Sequence, residues 1–266
     1  MRLLMCLPEY FDVIYEINPW MRIANSPDPQ RAQAQWVALY TILTERLRAE
    51  VVLITPQAGL PDMVFTANAG LTKGNLFVPS RFQPMERQGE VEFFIRWMSR
   101  NGFQAKFLPK DVVGAFEGEG DALFYGDLLL TGFGQRSDET ACVAVGKLLD
   151  VEVLPLRLID SRWYHLDTCL IPITPDLLAY YPAAFDAAAN AALEKLPGEK
   201  ILLAESDSLR FGGNAVVSGN QIVINSGCAA LAGELRERGL EVFETDLSEF
   251  IKAGGSAKCL VLTLDH

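Results

Sequence analysis

Two residues of this sequence, Cys259 and His165, have side chains that could carry out nucleophilic chemistry. A cysteine attacks electrophilic carbon as its thiolate, so a neighbouring group must lower the pKa of the thiol. A histidine that titrates near neutrality can protonate a leaving amine and then activate water. Apart from the terminal His266, His165 is the only histidine in the chain. Cys259 follows a Gly254-Gly255-Ser256 loop, which permits a close backbone approach.

Further reactive side chains recur at one position of a repeated order of elements. They are Asp62, then Glu117 with Glu119 and Asp121, then His165 with Asp167, then Asn214, and finally Cys259. A carboxylate can orient the histidine, and additional carboxylates suit a cationic, planar guanidinium with its fork of N–H donors. The set therefore favours cysteine-mediated hydrolysis at a guanidinium carbon. The alternatives are an inert core cysteine, a structural histidine and a solvated acidic loop at 117–121.

Composition excludes several other classes of protein. Half of the 266 residues are apolar and 21% are charged, as in a globular chain. The net charge of −11 argues against nucleic acid and mildly favours a cationic small molecule. The five cysteines are widely spaced and lack a CxxC, which predicts neither disulfides nor zinc and indicates a reducing cytoplasm. No apolar run reaches the roughly 18 residues of a membrane helix, and the N-terminus is interpreted as a strand, not a signal peptide.

A β-hairpin, a helix and a strand follow one another four times along the chain. The hairpins are predicted at 62–80, 122–132, 167–182 and 214–226. Of the four helices, the first is predicted at about 87–100, the third at 183–196 and the fourth at 228–238. The second helix is predicted to begin after Ser137, which would be its N-cap. The third strands are FQAKFL, VEVLPL, KILLA and EVFET.

The chain ends supply a fifth unit, from strands at 2–8 and 257–264 with a helix near 28–49 that leads to VVLIT. If the terminal strands pair, five units close a ring, which removes exposed sheet edges. We therefore predict an α/β fold, a five-bladed αβ propeller, as a single catalytic domain over 1–266. Closure would bring Cys259 and His165 to one axis. A doubly wound sheet is the alternative, but it needs no hairpin before every helix.

Six segments resemble the guanidino-group-modifying penteins, which comprise arginine deiminases, dimethylargininases, amidinotransferases and arginine dihydrolases. The segments are PDMVFTANAG (61–70), SRFQPMERQGE (80–90), FEGEGD (116–121), TGFGQRS (131–137), YHLDT (164–168) and AGGSAKCL (253–260). The resemblance spans nearly the whole chain, and the family fold it implies is the five-bladed propeller.

Carried over to this sequence, the resemblance implies that Cys259 is the nucleophile, His165 the general acid and base, and Glu117 its acidic support. Because FEGEGD is spaced differently from the deiminase EGGD, Glu119 is an alternative for that support. The implied substrate-binding residues are Asp62 and Asp167 at the guanidinium, Arg87 and Arg136 at the substrate carboxylate, and Asn18, Phe65, Asn68 and Asn214. Surface salt bridges are the alternative role for the two arginines.

One position distinguishes the subfamilies. Deiminases and dimethylargininases have an aspartate where this chain has Asn68, and dimethylargininases have a further acid where it has Ala67. Asn68 and the segment Asn18-Pro19-Trp20-Met21 are similar to arginine dihydrolases. An amide both donates and accepts, so it can hold a neutral ureido group as well as a guanidinium. The resemblance therefore implies that citrulline stays bound and is attacked again, giving ornithine, carbon dioxide and two ammonia.

Three other outcomes are compatible with parts of this pattern. A deiminase or dimethylargininase would stop at citrulline, and an amidinotransferase would pass the amidino group to an amine. A non-catalytic propeller is disfavoured by the joint presence of Cys259, His165 and Glu117. We predict no metal and no other cofactor, because the substrate cation is itself the electrophile and the carboxylates match its charge. The expected partner is a small molecule, without nucleic acid or membrane, and assembly into a homo-oligomer is left open.

Overall fold

Five three-stranded sheets repeat one order of elements along residues 1–266, all of which the computed structural model describes. In the first sheet, β1 (Arg2–Cys6) pairs in parallel with β2 (Glu50–Ile54). Each of the next four sheets is an antiparallel hairpin with a third strand parallel to the second. Their strands are β3 (Gly70–Lys73), β4 (Leu76–Pro79), β5 (Gln104–Ala105), β6 (Ala122–Tyr125), β7 (Leu128–Phe133), β8 (Glu152–Arg157), β9 (Leu170–Thr174), β10 (Leu177–Tyr180), β11 (Glu199–Leu202), β12 (Val216–Ser218), β13 (Gln221–Asn225) and β14 (Glu241–Thr245).

One long helix connects the second and third strand of every sheet. The helices are α1 (Pro29–Thr41), α2 (Met85–Gln88), α3 (Val91–Arg100), α4 (Glu139–Leu149), α5 (Ala187–Lys195), α6 (Glu205–Ser208), α7 (Ala229–Glu237) and α8 (Ser248–Ile251), and the connecting ones are α1, α3, α4, α5 and α7. Their apolar spacing explains the packing, since Phe94 and Met98 of α3 are buried. None of the helices is long and apolar enough to span a membrane.

The ring is closed by the last strand. β15 (Leu262–Thr263) pairs antiparallel with β1, with Leu3 opposite Thr263 and Leu4 opposite Leu262. The C-terminal strand thus serves as the first strand of the sheet that the N-terminus begins. All five sheets then share one pattern, which is the predicted five-bladed αβ propeller.

The first strand of three of the four hairpins starts later than the sequence predicted, whereas β6 begins at Ala122 as predicted. Short 3-10 turns at Pro61–Val64, Thr66–Ala69, Gly118–Gly120 and Leu166–Thr168 precede the strands. Cys259 likewise lies in a turn before β15. These segments carry buried polar side chains, and a turn lets several of them face the axis where a strand would point alternate ones away.

Several other predicted boundaries were wrong. The helix expected over 87–100 is divided into α2 and α3, the helix at 183–196 begins only at Ala187, and the strand FQAKFL is reduced to β5. The N-cap of α4 is Asp138 instead of Ser137. Ser137 fails as a cap because its hydroxyl bonds to groups of the site, as described below.

We expect Gly118→Ala to destabilise the fold. Gly118 has φ +63°, and a Cβ there would lie 2.7 Å from the backbone atoms Ala67 O, Gly70 N and Gly70 O. The left-handed conformation and the backbone clash together should lower the free energy of unfolding by about 2 kcal/mol or more. Chemical denaturation measures this loss. The control is Gly233→Ala in α7, where a Cβ meets nothing within 4 Å. This substitution should raise the free energy of unfolding by at most about 1 kcal/mol. Equal stability of Gly118→Ala and the parent would contradict the prediction.

Candidate active site

The turns before the first strands bring the predicted polar residues together at the axis of the ring. Every residue of this set is buried: Asp62, Asn68, Glu117, His165, Asp167, Asn214 and Cys259. They come from all five blades of the propeller, which explains why residues distant in the sequence meet. No group of three or more His, Cys, Asp or Glu side chains has the arrangement of a metal site.

Cys259 is held by Asp167 and Asn214. Its Sγ lies 3.2 Å from Asp167 Oδ2, to which the thiol donates, and 3.1 Å from the Asn214 amide, which donates to sulfur. Asn214 also accepts from the Cys259 N–H at 3.1 Å and donates to the Asp167 carbonyl at 2.8 Å. Burial and the neighbouring Asp167 carboxylate raise the pKa of the Cys259 thiol well above its ordinary value. The free protein therefore holds a protonated thiol.

His165 is paired with Glu117. His165 Nε2 lies 2.8 Å from Glu117 Oε2, which also accepts from Arg136 Nη1 at 2.9 Å. Burial alone would raise the pKa of Glu117, but Arg136 and His165 outweigh it and lower that pKa to about 2. Glu117 is thus a carboxylate that accepts from the Nε2–H tautomer of His165, which leaves Nδ1 for proton transfer. Burial lowers the pKa of His165 itself to about 4 despite this partner, so the ring is neutral at pH 7.

Glu119, the alternative support for the histidine, lies in a different cluster. Its Oε1 contacts His266 Nε2 at 2.6 Å, and its Oε2 accepts from the Thr263 N–H at 3.0 Å and from Lys258. Because both oxygens are used there, the structure places Glu117, and not Glu119, against His165.

Asp62 and Asp167 each keep one oxygen without a protein donor. Asp62 Oδ2 accepts from the Tyr15 hydroxyl at 3.0 Å, whereas Asp62 Oδ1 and Asp167 Oδ1 are buried and unbonded. Burial raises the pKa of both carboxyls, that of Asp167 to about 7. Buried carboxylate oxygens are normally hydrogen-bonded, so these two can accept N–H groups from a cationic ligand.

The two arginines implied by the family resemblance are buried, so the surface salt bridge considered for each is wrong. Arg136 donates to Glu117 and, at 3.0 Å, to the Ile17 carbonyl, and stacks over Tyr164. Arg87 forms a bidentate ion pair with Glu90. Their binding of a substrate carboxylate stays a prediction.

Asn18 and Phe65 lie in supporting contacts around the site. Asn18 accepts from the Trp20 N–H at 2.9 Å and donates to the Ala253 carbonyl at 3.0 Å, which fastens the loop before α1 to the loop before Cys259. The Phe65 ring covers Gly255, where a Cβ would lie 2.3 Å from the ring. Both residues therefore help to position the Cys259 loop, and direct contact with substrate stays a prediction.

Ser137 and Asp121 connect the chain segments that carry Glu117 and His165. The Ser137 hydroxyl accepts from the Glu117 N–H at 3.0 Å and donates to Asp121 Oδ2 at 2.7 Å. Asp121 Oδ1 accepts from the N–H of Leu166, next to the histidine, at 3.0 Å. Sequence reasoning missed this connection because Ser137 before a helix has the pattern of an N-cap. It also missed Tyr15, which lies in a loop without any periodic signal.

An αβ propeller with a cysteine, a histidine and free buried carboxylate oxygens on its axis is a pentein of the guanidino-group-modifying class. The chain belongs to the family described as N,N dimethylarginine dimethylhydrolase, eukaryotic, whose sequence model matches residues 17–265.

Several relatives of this chain are characterised by name or structure. It is 47% identical over 266 residues to AgrE of Nostoc sp., a bifunctional arginine dihydrolase/ornithine cyclodeaminase, covering 98% of this chain and 37% of that protein. It is 40% identical over 263 residues to the N(G),N(G)-dimethylarginine dimethylaminohydrolase of Mycobacterium tuberculosis, and the match covers 99% of this chain and 85% of that protein. One similar solved structure is the N-terminal domain of ArgZ, an arginine dihydrolase from Cyanobacteria, which was crystallised with substrate as a Cys-to-Ser mutant. Its superposition on this chain has a TM-score of 0.95 at 46% sequence identity and covers 100% of this chain and 98% of that one. The chain thus spans 37% of the length of its bifunctional relatives.

We expect His165 to make the fold sensitive to acid. The pKa of His165 is about 4 in the folded protein, below the ordinary value near 6.5. Between these values the unfolded chain binds a proton that the folded chain does not, so stability falls as pH decreases from about 6.5 to about 4. A His165→Gln protein, followed by denaturation at several pH values, should lose less stability over this window. An identical slope in both proteins would contradict the assignment.

Proposed function

We propose that this domain hydrolyses L-arginine to L-ornithine, carbon dioxide and two ammonia through a covalent intermediate on Cys259. The observation that carries the proposal is the pair of unbonded, buried oxygens Asp62 Oδ1 and Asp167 Oδ1 beside a cysteine whose thiol bonds to Asp167. The N–H fork of a guanidinium supplies the missing donors and the positive charge. The names of AgrE and ArgZ support arginine as the substrate and two hydrolytic rounds as the outcome.

Substrate charge would activate the nucleophile. The thiol is protonated in the free protein because of burial and the Asp167 carboxylate. A guanidinium bound to the carboxylates places a cation next to sulfur, which lowers the pKa of the thiol. In the proposed mechanism, the thiol proton is transferred once substrate is bound to Nδ1 of His165, which is neutral and not bonded to Glu117.

In the first round, Cys259 Sγ forms a bond to the guanidinium carbon. His165 returns a proton to the departing nitrogen, and the C–N bond breaks to release ammonia. Water then attacks the thiouronium carbon while His165 accepts a proton, and the C–S bond breaks to give citrulline. Glu117 stabilises the transiently cationic histidine throughout.

In the second round, the same sulfur attacks the ureido carbon of citrulline, and a second ammonia leaves. Water cleaves the resulting thiocarbamate to a carbamate on the ornithine nitrogen, which loses carbon dioxide. Asn68 would retain citrulline, because an amide can interact with a neutral ureido group where a carboxylate would favour only the cation.

Dimethylarginine is a second candidate substrate. The family description and the relative from M. tuberculosis favour it. Ala67, where dimethylargininases have an acid, disfavours it. Release of dimethylamine from dimethylarginine, at a rate comparable to ammonia release from arginine, would establish this activity.

Incubation of the protein with arginine should yield one ornithine and two ammonia per arginine consumed. Cys259→Ser should reduce the rate about a thousandfold or more, because a serine hydroxyl is a much poorer nucleophile at this pH. The control, Cys228→Ser, changes a buried cysteine whose Sγ bonds only to backbone carbonyls of Asp207 and Arg210, and should keep the parent rate. Accumulation of citrulline without ornithine would refute the second round, and full activity of Cys259→Ser would refute the nucleophile.

Asn68→Asp should shift the product towards citrulline. The amide nitrogen of Asn68 lies 3.3 Å from the Glu117 carbonyl and 3.5 Å from His165 Nδ1. An aspartate cannot donate to either group and, as a carboxylate, favours the cationic substrate over a neutral ureido group, so citrulline should be released more readily. The measurement is ammonia per arginine, which should fall from two towards one. Asn101→Asp at the exposed end of α3 is the matched control, and an unchanged ratio in Asn68→Asp would contradict this role.

A further inference from the structure

A buried ion pair next to the site has no role in the chemistry described so far. Glu90 is fully buried at the start of α3, and Arg87 in α2 is almost so. Arg87 Nε donates to Glu90 Oε1 at 2.8 Å, and Arg87 Nη2 donates to Glu90 Oε2 at 2.9 Å. The Arg87 guanidinium also stacks on Phe82, 4.5 Å from the ring centre. Both ends of this pair are therefore fixed in position.

The remaining donors of Arg87 point at the active site. Nη1 donates to Asn68 Oδ1 at 2.7 Å, and Nη2 donates to the Asp62 carbonyl at 3.0 Å. Four of the five N–H groups of a guanidinium are thus engaged within the protein. Arg87 therefore positions Asn68, and this contact uses donors that the family resemblance assigned to a substrate carboxylate.

This contact determines which way the Asn68 amide faces. A guanidinium only donates, so the atom of Asn68 that meets Arg87 must be the oxygen. The nitrogen then faces the Glu117 carbonyl, which only accepts, and His165 Nδ1. A flipped amide would place N–H groups against the Arg87 cation and an oxygen against the Glu117 carbonyl. Both contacts would be repulsive.

The Asn68 side chain is closely packed on the side of its amide nitrogen. A Cβ on Gly120 would lie 2.2 Å from Asn68 Nδ2 and 3.1 Å from His165 Nδ1. The Ser80 hydroxyl donates to the Asn68 carbonyl and fixes its backbone. The amide nitrogen thus lies close to Gly120 and His165, while the oxygen on the other side accepts from Arg87.

We infer that Glu90 is a positioning residue for the second hydrolytic round, acting through Arg87 on the orientation of Asn68. The inference rests on the proposed function. A buried guanidinium needs a carboxylate partner, and the other nearby one, Asp62 Oδ2, is 3.9 Å from Arg87 Nε, farther than Glu90. Without the Glu90 charge, Arg87 is drawn towards Asp62 and releases the Asn68 oxygen. The first round depends mainly on carboxylates and the substrate cation, whereas retention of neutral citrulline depends on the amide.

The test compares the products formed from arginine by the parent, Glu90→Gln and Glu92→Gln. Glu90→Gln keeps the size of the side chain and removes its charge, and Glu92 is an exposed glutamate in the same helix paired only with Arg96. For Glu90→Gln we expect ammonia per arginine to fall from two towards one, with citrulline released. Glu92→Gln should keep the parent ratio. Thermal unfolding shows whether each variant is folded.

The ratio separates this role from a merely structural one. A lower rate with an unchanged ratio of two would overturn the inference, as would an unchanged rate and ratio. If Glu90→Gln does not fold, Glu90→Asp takes its place, since it keeps the charge but is too short for the same bidentate contact. An unchanged ratio of two in Glu90→Asp, with or without a lower rate, would likewise overturn the inference. A parent ratio of one would refute the proposed second round, and with it the inference, before any variant is compared.

Discussion

The active site depends on how buried charge is compensated at the axis of the ring. An unpaired charge in a protein interior costs several kcal/mol, and each arginine here is bonded to a carboxylate as well as to a neutral acceptor. Arg136 connects Glu117 to the Ile17 carbonyl, and Arg87 connects Glu90 to Asn68. Among the carboxylates at the axis, Asp62 and Asp167 each keep one free oxygen. The two free oxygens thus belong to the carboxylates that would receive the substrate cation, whereas both oxygens of the equally buried Asp121 are bonded to neutral groups.

The propeller makes this compensation possible because its closure brings short turns from every blade to one point. The turns carry polar side chains inwards, while the helices bury their apolar faces against the sheets farther out. Hydrogen bonds between neighbouring turns keep them in register, as between Ser137, Asp121 and the Leu166 N–H. Apolar packing thus prevails between the sheets and helices and the polar network in the turns, and Phe65 and Cys259 lie where the two meet.

The blade pattern could be predicted from the sequence because it rests on local signals, namely hairpin turns and amphipathic helices. The pairing of β15 with β1 followed from counting units, and the set of buried polar residues followed from their common position in each unit. The partners within that set could not be predicted in the same way. Glu117 and Glu119 are two residues apart and equally acidic, yet one meets His165 and the other meets Lys258 and His266. Such choices depend on the backbone of a 3-10 turn, which leaves no periodic trace.

The protonated state of Cys259 gives the site a basis for selecting its substrate. Burial and Asp167 disfavour the thiolate in the free protein, so a neutral amide that entered the site would meet an unreactive thiol. A guanidinium would change the charge balance as it binds and so promote the attack on itself. Citrulline brings no such charge, so the second attack would rely on the thiolate that cleavage of the C–S bond has just released and on a different means of holding the substrate. In the proposed function the carboxylates would therefore select the first substrate by charge, and the Asn68 amide, fixed by Arg87 and Glu90, would hold the second by hydrogen bonding alone.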